Sequence, residues 1–510
     1  MEKIKLFAKQ NTDKIVAVLI GLVVFVLWLM YTDVTMPDGT KTGDVTLFAL
    51  ILLFALCICL VLKVREIVIM AIVFLLLIIG FSKVNPLGNA ADERSHFFRC
   101  YEIANVSLIS RYLSDGNTGD ILPTAVMYFE DENATIDWND TQEVAFSLMT
   151  VYAPVSYIPQ AIGIKLTGLF TNNVQKIFWG GRWANALICY LICMAALCVA
   201  PFGKRLLFLF MVFPMTLQEF MSVAADGFAL SCALFFFAYV CRLAYKSEEF
   251  KIKDAIILAV AGLFISLSKI VYVVLIFLVL IIPDNKFKKK AHAVAFKTGI
   301  IVINWVINLA WLKIGSGFLK GFSMENIDSG KQIKHILSDV IGYISVCVRT
   351  IAVFAVEWTS QMIGAVLGQA DIPLSGFIWI ALFVLLIVTC LKMRVDSKIK
   401  PFDRILMLLI FFAASGLILT SEYLTWTPIG APIIVGTQGR YFTPILVFLC
   451  VFVASAGQQN NKKNIKEDDK NKAEILKVAD EEESKTSPLY FYVIVLCNLM
   501  AIVDIAVHYV

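Results

Sequence analysis

Repeated long apolar runs constrain this chain more than any other feature of its sequence. One of them, "EIVIMAIVFLLLIIGF" at residues 66–81, carries a single charged residue, at its first position. Runs of about 17–25 such residues can cross the hydrocarbon core of a bilayer as α-helices. The chain is 59% hydrophobic and 16% charged, whereas soluble domains carry roughly 25% charged residues. We therefore predict an all-α polytopic membrane protein.

The apolar runs predict about 13 membrane crossings. The predicted spans are residues 14–31, 45–62, 66–82, 183–200, 205–222, 226–244, 255–268, 270–283, 293–313, 374–392, 403–421, 441–457 and 488–508. Two further apolar stretches, 152–170 and 338–358, are predicted to lie as helices on the outer membrane surface. Counting 152–170 as a crossing would place four later basic loops outside, against the preference of Lys and Arg for the cytoplasmic side.

The distribution of basic residues predicts how the chain is oriented. The Lys-rich segment "MEKIKLFAKQNTDK" places the N-terminus in the cytoplasm, and the count of crossings places the C-terminus outside. The net charge is +4, and because basic residues gather in the predicted inner loops, we expect no nucleic-acid partner. We expect a multi-pass protein of the bacterial cytoplasmic membrane, with the acidic segment 83–182 on its outer face.

A dense cluster of titratable residues follows the third apolar run, in "GNAADERSHFFRCYEI" at residues 88–103. Asp92, His96 and Arg99 are spaced i, i+4 and i+7, so on a helix they share one face. Glu93 stands beside that face. The arrangement suits an anionic ligand beside a general base. Alternatively, Glu93 and His96 could hold a divalent metal, and the spacing does not decide between these hypotheses.

Other unusual polar residues fall on the same predicted side of the membrane. They are Arg182 in "GGRWAN", Asp226 in "MSVAADGFALS", Lys269 in "SLSKIVY", and Gln438, Arg440 and Tyr441 in "VGTQGRYFTP". Ionisable residues at the edge of a membrane cost free energy when exposed to lipid and usually serve a function. The sequence therefore predicts one polar chamber near the outer membrane face, built from segments far apart in the chain.

Each of these residues also has a structural interpretation. The Asp-Glu pair could lie in a solvated loop or stabilise a helix N-terminus. His96 could hydrogen-bond within its own helix, and Asp226 could cap one. Lys269 could extend to the membrane interface, and Arg440 could anchor the chain among the lipid headgroups.

The motif at 88–103 resembles the acidic motif of the GT-C superfamily of membrane glycosyltransferases. In that superfamily an Asp-Glu pair often begins the first large extracytoplasmic loop. The segment looks most like a bacterial branch of predicted membrane proteins with a motif Pro-x-Asp-Glu-x-x-His-Phe-x-Arg-Ala-Tyr. The matching residues are Asp92, Glu93, His96, Phe97, Arg99 and Tyr101. Cys100 replaces the usual Ala, and Ala90 stands where Pro is common.

Three further segments resemble the same branch, in the same order. "YAPVSYIPQAIGI" is similar to its juxtamembrane helix, and "FPMTLQEFMSVAADGF" is similar to its Asp-bearing segment between two spans. "TQGRYFTP" is similar to its Gln-Gly-Arg-Tyr-Phe-x-Pro motif. Together the four motifs cover residues from about 85 to 445.

The resemblance implies a transferase that moves a sugar from a polyprenyl-phosphate carrier to a glycan or cell-wall polymer on the outer membrane face, with inversion. It implies that Asp92 is the catalytic base and Glu93 its partner or a metal ligand. Some members use a divalent metal such as Mg²⁺ or Mn²⁺, for which Glu93 and His96 are the candidate ligands. Arg440 suits a phosphate because a guanidinium can bind it bidentately. The remaining candidates for substrate or phosphate binding are His96, Arg99, Tyr101, Arg182, Asp226, Lys269, Gln438 and Tyr441.

The same resemblance implies a division of the chain. Residues 1–65 add two transmembrane helices to a GT-C-like core at 66–457, followed by a charged cytoplasmic loop at 458–487 and a last helix at 488–510. A lipid-linked saccharide polymerase or ligase, or a transporter or flippase, are the alternative functions. A transporter would be expected to show inverted repeats and charges at the middle of the bilayer, and the charges here lie at its predicted outer edge.

Overall fold

The structure, a computed structural model, describes residues 40–318, 327–393, 399–464 and 472–508. The predicted span at 14–31 lies outside these residues. Most of the described chain is α-helical, and short strands form two small antiparallel sheets.

The helices and strands alternate unevenly along the chain. The α-helices are α1 Thr40–Val61, α2 Glu66–Val84, α3 Glu93–Ala104, α4 Ile158–Gly168, α5 Val174–Val199, α6 Lys204–Met211, α7 Pro214–Phe220, α8 Asp226–Cys241, α9 Ile252–Ser268, α10 Lys290–Phe318, α11 Ser329–Ser338, α12 Val340–Ile363, α13 Gly376–Lys392, α14 Pro401–Thr425, α15 Thr443–Asn464 and α16 Lys472–His508. The strands are β1 Arg111–Tyr112, β2 Thr118–Pro123, β3 Thr141–Ala145, β4 Val366–Leu367 and β5 Ile372–Pro373. Because α15 and α16 extend into the predicted charged loop at 458–487, the ends of that loop are helical.

Eight helical segments of the described chain are long and apolar enough to cross a membrane. They are Glu66–Val84, Val174–Val199, Asp226–Lys246, Lys290–Phe318, Val340–Ile363, Pro401–Thr425, Gly439–Ala456 and Pro488–His508. Shorter apolar helices at Ala49–Val61, Ile270–Ile281 and Gly376–Lys392 coincide with predicted spans. These helices confirm the prediction of an all-α polytopic membrane protein.

The predicted continuous helix at 205–222 is wrong, because the segment breaks into α6 and α7. Pro214 has no backbone N–H and begins α7, so its position favours a break from the helix before it. Residues 206–225 are all buried, and irregular backbone is tolerated at membrane depth only where protein covers it.

The two short helices nevertheless run the full length of α2. At one end Arg205 Nε lies 2.6 Å from Glu66 Oε1, and at the other Gln218 Nε2 donates to Asn85 Oδ1 at 3.2 Å. Because α2 has 19 residues, these contacts are about 28 Å apart along its axis. The segment therefore runs alongside α2 as a broken helix, and its crossing of the membrane stays a prediction.

The two predicted surface helices differ in length. Residues 152–170 form the 3₁₀ turn Pro154–Tyr157 and the 11-residue α4, about 17 Å long, which is too short to cross a bilayer. In contrast, the second predicted surface helix, at 338–358, lies almost wholly in α12, whose 24 residues are long and apolar enough to cross. Its length therefore does not support a position on the surface.

The segment between α2 and α5, which the charge distribution predicts to lie outside and which we call the outer segment, folds into a small unit at one end of the helical core. Strand β2 pairs with β1 and β3, and α3 packs below them around an aromatic cluster. In that cluster the ring of Phe97 stacks on Phe178 at 4.2 Å and lies 5.6 Å from Phe129. Because Phe178 belongs to α5, this packing fixes α3 to a membrane helix and so positions the motif that begins it.

Helices α4 and α5 pack with almost no space between their backbones. A Cβ atom at Gly163 would lie 2.2 Å from the carbonyl oxygen of Gly180, and one at Gly180 would lie 2.0 Å from Thr167 Oγ1. Only glycine permits this approach, so these two positions decide how the juxtamembrane segment sits on the core.

We expect Gly163→Ala to lower the thermal stability of the purified protein, because the added methyl group forces α4 away from α5 at a cost of about 1–3 kcal/mol. Gly299→Ala is the matched control, since Gly299 lies in α10 with no atom within 4 Å of an added Cβ. Alanine favours a helix over glycine by about 1 kcal/mol, so the control should unfold no earlier than wild type. Equal unfolding temperatures for the two variants would contradict the packing argument.

Candidate functional site

Three charged side chains from distant parts of the chain meet at one end of the helical core. Lys269 Nζ lies 2.6 Å from Asp226 Oδ1, and Arg440 Nε lies 3.2 Å from Asp226 Oδ2. Asp226 begins α8, Lys269 separates α9 from the 3₁₀ helix Ile270–Ile281, and Arg440 lies in a 3₁₀ turn before α15. We call these three residues the charged cluster.

Lys269 is held at a break between two helices. The side chain of Asn308 in α10 donates to the carbonyl oxygens of Ser266 at 2.6 Å and Ile270 at 3.1 Å, on either side of the break. The ammonium lies 3.7 Å from the centre of the Tyr441 ring, close enough for a cation–π interaction. With its side chain 12% exposed, Lys269 is directed into the charged cluster rather than toward the lipid headgroups.

The turn that carries Arg440, Gly439–Phe442, packs directly on α12. A Cβ at Gly439 would lie 2.0 Å from the carbonyl oxygen of Trp358, so this position requires glycine. The Gly439 N–H donates to Gln361 Oε1 at 2.9 Å, and Tyr272 Oη donates to the carbonyl of Tyr441 at 2.8 Å. Arg440 therefore extends from a turn that is fixed on both sides. The adjacent Gln438 caps the turn, and its side chain forms no hydrogen bond with a described residue.

Carboxylates surround the guanidinium of Arg440 but do not hydrogen-bond to it. Its nitrogens lie 3.2 Å from Asp226 Oδ2, 3.6 Å from Glu219 Oε1 and 3.8 Å from Asp92 Oδ2. The side chain is 8% exposed, and within the described residues it forms no hydrogen bond. Buried charges are normally both paired and hydrogen-bonded. The N–H groups of Arg440 are therefore candidate donors for an anion such as phosphate, which a guanidinium can bind bidentately.

Asp92 faces the charged cluster from the start of α3. Its φ is +58°, a left-handed conformation that Asp and Asn adopt more readily than other side chains. It occupies the N-cap position of α3 without making a side-chain capping bond. Its side chain is 54% exposed, so the carboxylate is open to solvent and close to Arg440 rather than used as a helix cap.

Glu93, the neighbour of Asp92, is turned the opposite way and is fully buried. Its Oε1 accepts from Arg182 Nε at 2.8 Å and from the Val223 N–H at 3.1 Å, and its Oε2 lies 2.5 Å from Arg182 Nη2. Arg182 also donates to the carbonyls of Asn85 at 2.7 Å and Pro86 at 2.6 Å. Glu93 and Arg182 thus bind each other and backbone groups, and neither side chain contacts the charged cluster.

Arg99 and Tyr101 are also placed away from the charged cluster. Arg99 is buried in an ion pair with Glu102, and its Nη1 donates to Ser110 Oγ at 2.9 Å. Tyr101 is buried with Phe97, whose ring lies 6.2 Å from its own. The helical face predicted from the spacing is therefore divided, with only its first turn at the site.

His96 lies between the charged cluster and the juxtamembrane segment. Its Nδ1 is 2.8 Å from Tyr157 Oη, and its ring lies edge-on to Tyr152 at 5.6 Å. Burial lowers the pKa of His96 to about 4, against the opposing effects of Asp226 and Asp92. Burial also raises the pKa of the Tyr157 hydroxyl well above its usual value. At neutral pH His96 is therefore uncharged beside a phenol that keeps its proton.

Sequence reasoning missed three of the groups that line this site. Tyr152 and Tyr157 were recognised as part of a motif but not as site residues, and Glu219 was assigned to a continuous membrane helix. Both oxygens of Glu219 lack a hydrogen-bond partner in the described residues. A carboxylate inside an apolar run is itself a signal of function, and it would have identified Glu219.

Glu93 and His96 do not fit the metal site that was one of the predictions. All the contacts of the Glu93 carboxylate go to Arg182 and to backbone N–H groups, and His96 Nδ1 contacts Tyr157. In the described part of the chain, no group of three or more His, Cys, Asp or Glu side chains is arranged to hold a metal ion. A metal requirement stays an untested prediction.

A cavity of about 20 Å³ lies beside Arg440 and is lined by Glu219, Asp226, Tyr272 and several apolar side chains. A volume of this size holds roughly one water molecule. The charged cluster is therefore closed around Arg440, and a larger ligand requires the surrounding side chains to separate.

Residues 117–449 match the family described as "Predicted membrane protein (DUF2142)", which is about two thirds of the chain. The chain belongs to this family. The matched residues, 117–449, include all three residues of the charged cluster, whereas Asp92 and His96 precede the matched residues. No curated protein and no solved structure matches the chain.

We expect Glu93→Gln to lower stability strongly, because it leaves the buried charge of Arg182 without its partner, a change that costs about 3–5 kcal/mol. Asp92→Asn should unfold at the wild-type temperature, since Asn also adopts a left-handed backbone and the side chain is exposed. Thermal unfolding of both variants in detergent measures the difference. If the two neighbouring substitutions are equally tolerated, the Glu93–Arg182 pair does not hold the site together.

The stability of the protein should also depend on pH through His96. Its pKa in the folded protein, about 4, is below the unfolded value of 6.5, so the folded state resists protonation. Stability from this group is complete above pH 6.5 and is lost as the pH falls from 6.5 toward 4. At about 1.4 kcal/mol per pKa unit, the loss approaches about 3 kcal/mol.

Unfolding temperatures measured from pH 8 to pH 4 test this expectation by comparing wild type with His96→Gln. The unfolding temperature of His96→Gln should rise relative to that of wild type as the pH falls below 6.5. A difference that is constant over this range would show that His96 is not buried in its neutral form.

Proposed function

We propose that this protein is a membrane glycosyltransferase of the GT-C type. It transfers a sugar from a polyprenyl-phosphate carrier to a glycan or cell-wall polymer on the outer membrane face. The observation that carries this proposal is Arg440, a nearly buried guanidinium whose donors are not hydrogen-bonded, 3.8 Å from the solvent-exposed carboxylate of Asp92. A cation for a phosphate and a base for a hydroxyl are the two groups that this reaction needs.

On the donor side, Arg440 and Lys269 bind the phosphate that joins the sugar to the lipid. This phosphate is the leaving group, so it gains negative charge as the bond to the anomeric carbon breaks. Fixed cations stabilise such charge without reorganising. Lys269 is fixed by Tyr441 and Asp226, and Arg440 by its packed turn, which supports this role.

On the acceptor side, Asp92 takes the proton of the attacking hydroxyl. The hydroxyl oxygen forms a bond to the anomeric carbon while the carbon–oxygen bond to phosphate breaks, and the electron pair leaves with the polyprenyl phosphate. A single displacement inverts the anomeric centre. His96 is a weaker candidate for the base, because it is buried and Tyr157 contacts its Nδ1.

The remaining predicted site residues act by positioning in this proposal. Glu93 and Arg182 hold the start of α3 against α5, and Arg99 holds its end through Glu102. The small cavity beside Arg440 means that the donor replaces carboxylates around the guanidinium instead of entering an open pocket. Glu219 is the group to be displaced, because neither of its oxygens is hydrogen-bonded to a described residue.

Wild type and two variants should be incubated with a set of polyprenyl-phosphate sugars, following carrier binding and turnover with and without EDTA. Asp92→Asn should bind the carrier that wild type consumes, with turnover reduced by about 10² or more through loss of the base. Arg440→Lys keeps the charge but not the bidentate contact, and should lose about 10²–10³ in rate.

Glu132→Gln is the matched control, because Glu132 is an exposed carboxylate of the same outer segment, and it should turn over the carrier at the wild-type rate. Turnover by Asp92→Asn at the wild-type rate would remove Asp92 from the mechanism. If no protein binds any carrier, the transferase proposal fails, and transport of a lipid-linked sugar becomes the function to assay.

A further inference from the structure

A second and much larger cavity, of about 740 Å³, lies at the opposite end of the helical core. It is enclosed by the start of α2, the start of α6, the end of α13 and the membrane part of α16. Since α2 begins at this cavity and ends beside the charged cluster, the two are about 28 Å apart along its 19 residues. The cavity thus lies at the other membrane face, which the charge distribution predicts to be cytoplasmic.

The cavity carries a strong excess of positive charge. Arg65, Lys204, Arg205 and Lys392 line it, with Glu66 as its one acidic residue, which gives a net charge of +3. The carboxylate of Glu66 is occupied by Arg205, which donates to it at 2.6 and 3.2 Å. Arg65, Lys204 and Lys392 form no ion pair with any described residue, so these three cations are available to an anion.

The first turn of α6 adds backbone donors to the same wall. Gly203 precedes it with φ +67° and provides no side-chain cap, although the first N–H groups of a helix have no partner within it. Uncapped N–H groups at a helix N-terminus favour phosphate and other anions. Lys204 and Arg205, both in this turn, place their charges beside these donors.

The rest of the cavity is apolar and reaches the lipid-facing surface. Met70, Leu385 and Val388 line it together with Leu489, which is 65% exposed. A cationic floor with an apolar wall matches an amphiphile that has an anionic headgroup and acyl chains. Inorganic phosphate would satisfy the cations but would leave this wall unused.

We propose that this cavity binds an anionic phospholipid, with the phosphate between the start of α6 and Lys392 and the acyl chains along α13 and α16. The lipid would fix the ends of four helices at the cytoplasmic face. This inference is independent of the proposed transferase activity, because none of its residues contacts the charged cluster.

The test is a lipid titration of the full-length purified protein in mild detergent, with bound lipids counted by native mass spectrometry. Phosphatidylglycerol should bind at a defined site in wild type, and phosphatidylcholine should bind about tenfold or more weakly. The double variant Lys204→Gln/Lys392→Gln should bind phosphatidylglycerol about tenfold or more weakly than wild type. Each basic residue near an anionic headgroup strengthens its binding roughly fivefold. Arg65→Gln is a second variant in case the double variant does not fold.

Lys288→Gln/Lys289→Gln is the matched control, since it removes two exposed lysines from another loop of the same predicted face. It should bind phosphatidylglycerol as wild type does. Equal weakening in the control would show that general surface charge attracts the lipid, and unchanged binding by both cavity variants would show that the lipid sits elsewhere. Full competition by inorganic phosphate or glycerol 3-phosphate would show an anion site without a lipid. Each of these three results overturns the proposal.

Discussion

The buried ion pair between Glu93 and Arg182 is the interaction on which the arrangement of the site depends. Arg182 extends from α5 and reaches the carboxylate of Glu93 and the two carbonyls at the end of α2. Glu93 in turn accepts from the N–H of Val223, in the irregular segment before α8. One pair therefore joins α2, α3, α5 and the start of α8. Both side chains are fully buried, and a buried pair is tolerated only when such additional hydrogen bonds satisfy it.

Several polar side chains surround the irregular segment before α8, because its backbone groups lack helical hydrogen bonds. Five residues, 221–225, interrupt the helices where lipid would offer no hydrogen bonds. Asn85 donates to the carbonyl of Met221, Asn185 to that of Ser222 and Gln160 to that of Ala224. Each amide comes from a different helix or helix end, so the break in the chain is also the point where these elements join. Asp226 follows directly, and its position in the charged cluster is set by this network.

Some of this arrangement could be predicted from the sequence. Long apolar runs predict membrane helices because only a helix satisfies its own backbone in lipid, and basic loops predict a common side for Asp92, Asp226, Lys269 and Arg440. The structure brings those four residues together. The break at Pro214 was not anticipated, because hydropathy measures the composition of a segment and not its continuity.

The different positions of the Asp92 and Glu93 side chains, one exposed and one buried, could not be predicted from their spacing. Adjacent residues at a helix start point in different directions, and which one faces the core depends on the backbone of Asp92. Its left-handed φ of +58° is held by the packing of α3 on α5, which is a tertiary constraint. The same reasoning applies to Arg99, which shares a helical face with Asp92 by spacing yet pairs with Glu102 inside the outer segment. The spacing of residues in a helix predicts which side chains share a face. It does not predict which other element each turn of that face contacts.

If Arg440 binds the donor phosphate as proposed, the charges around it determine how that phosphate can bind. Two cations, Arg440 and Lys269, already face the carboxylates of Asp92, Asp226 and Glu219. A phosphate added to this set would bring further negative charge next to these carboxylates in a nearly closed space. In the proposed reaction, binding would therefore proceed by exchange, in which a carboxylate moves away or takes up a proton as the phosphate arrives. Glu219 is the group best suited to yield, because it is buried with neither oxygen hydrogen-bonded, and an unsatisfied buried carboxylate is already costly. In this proposal, the carboxylates that close the site hold the guanidinium in place until an anion with better hydrogen-bonding geometry replaces them.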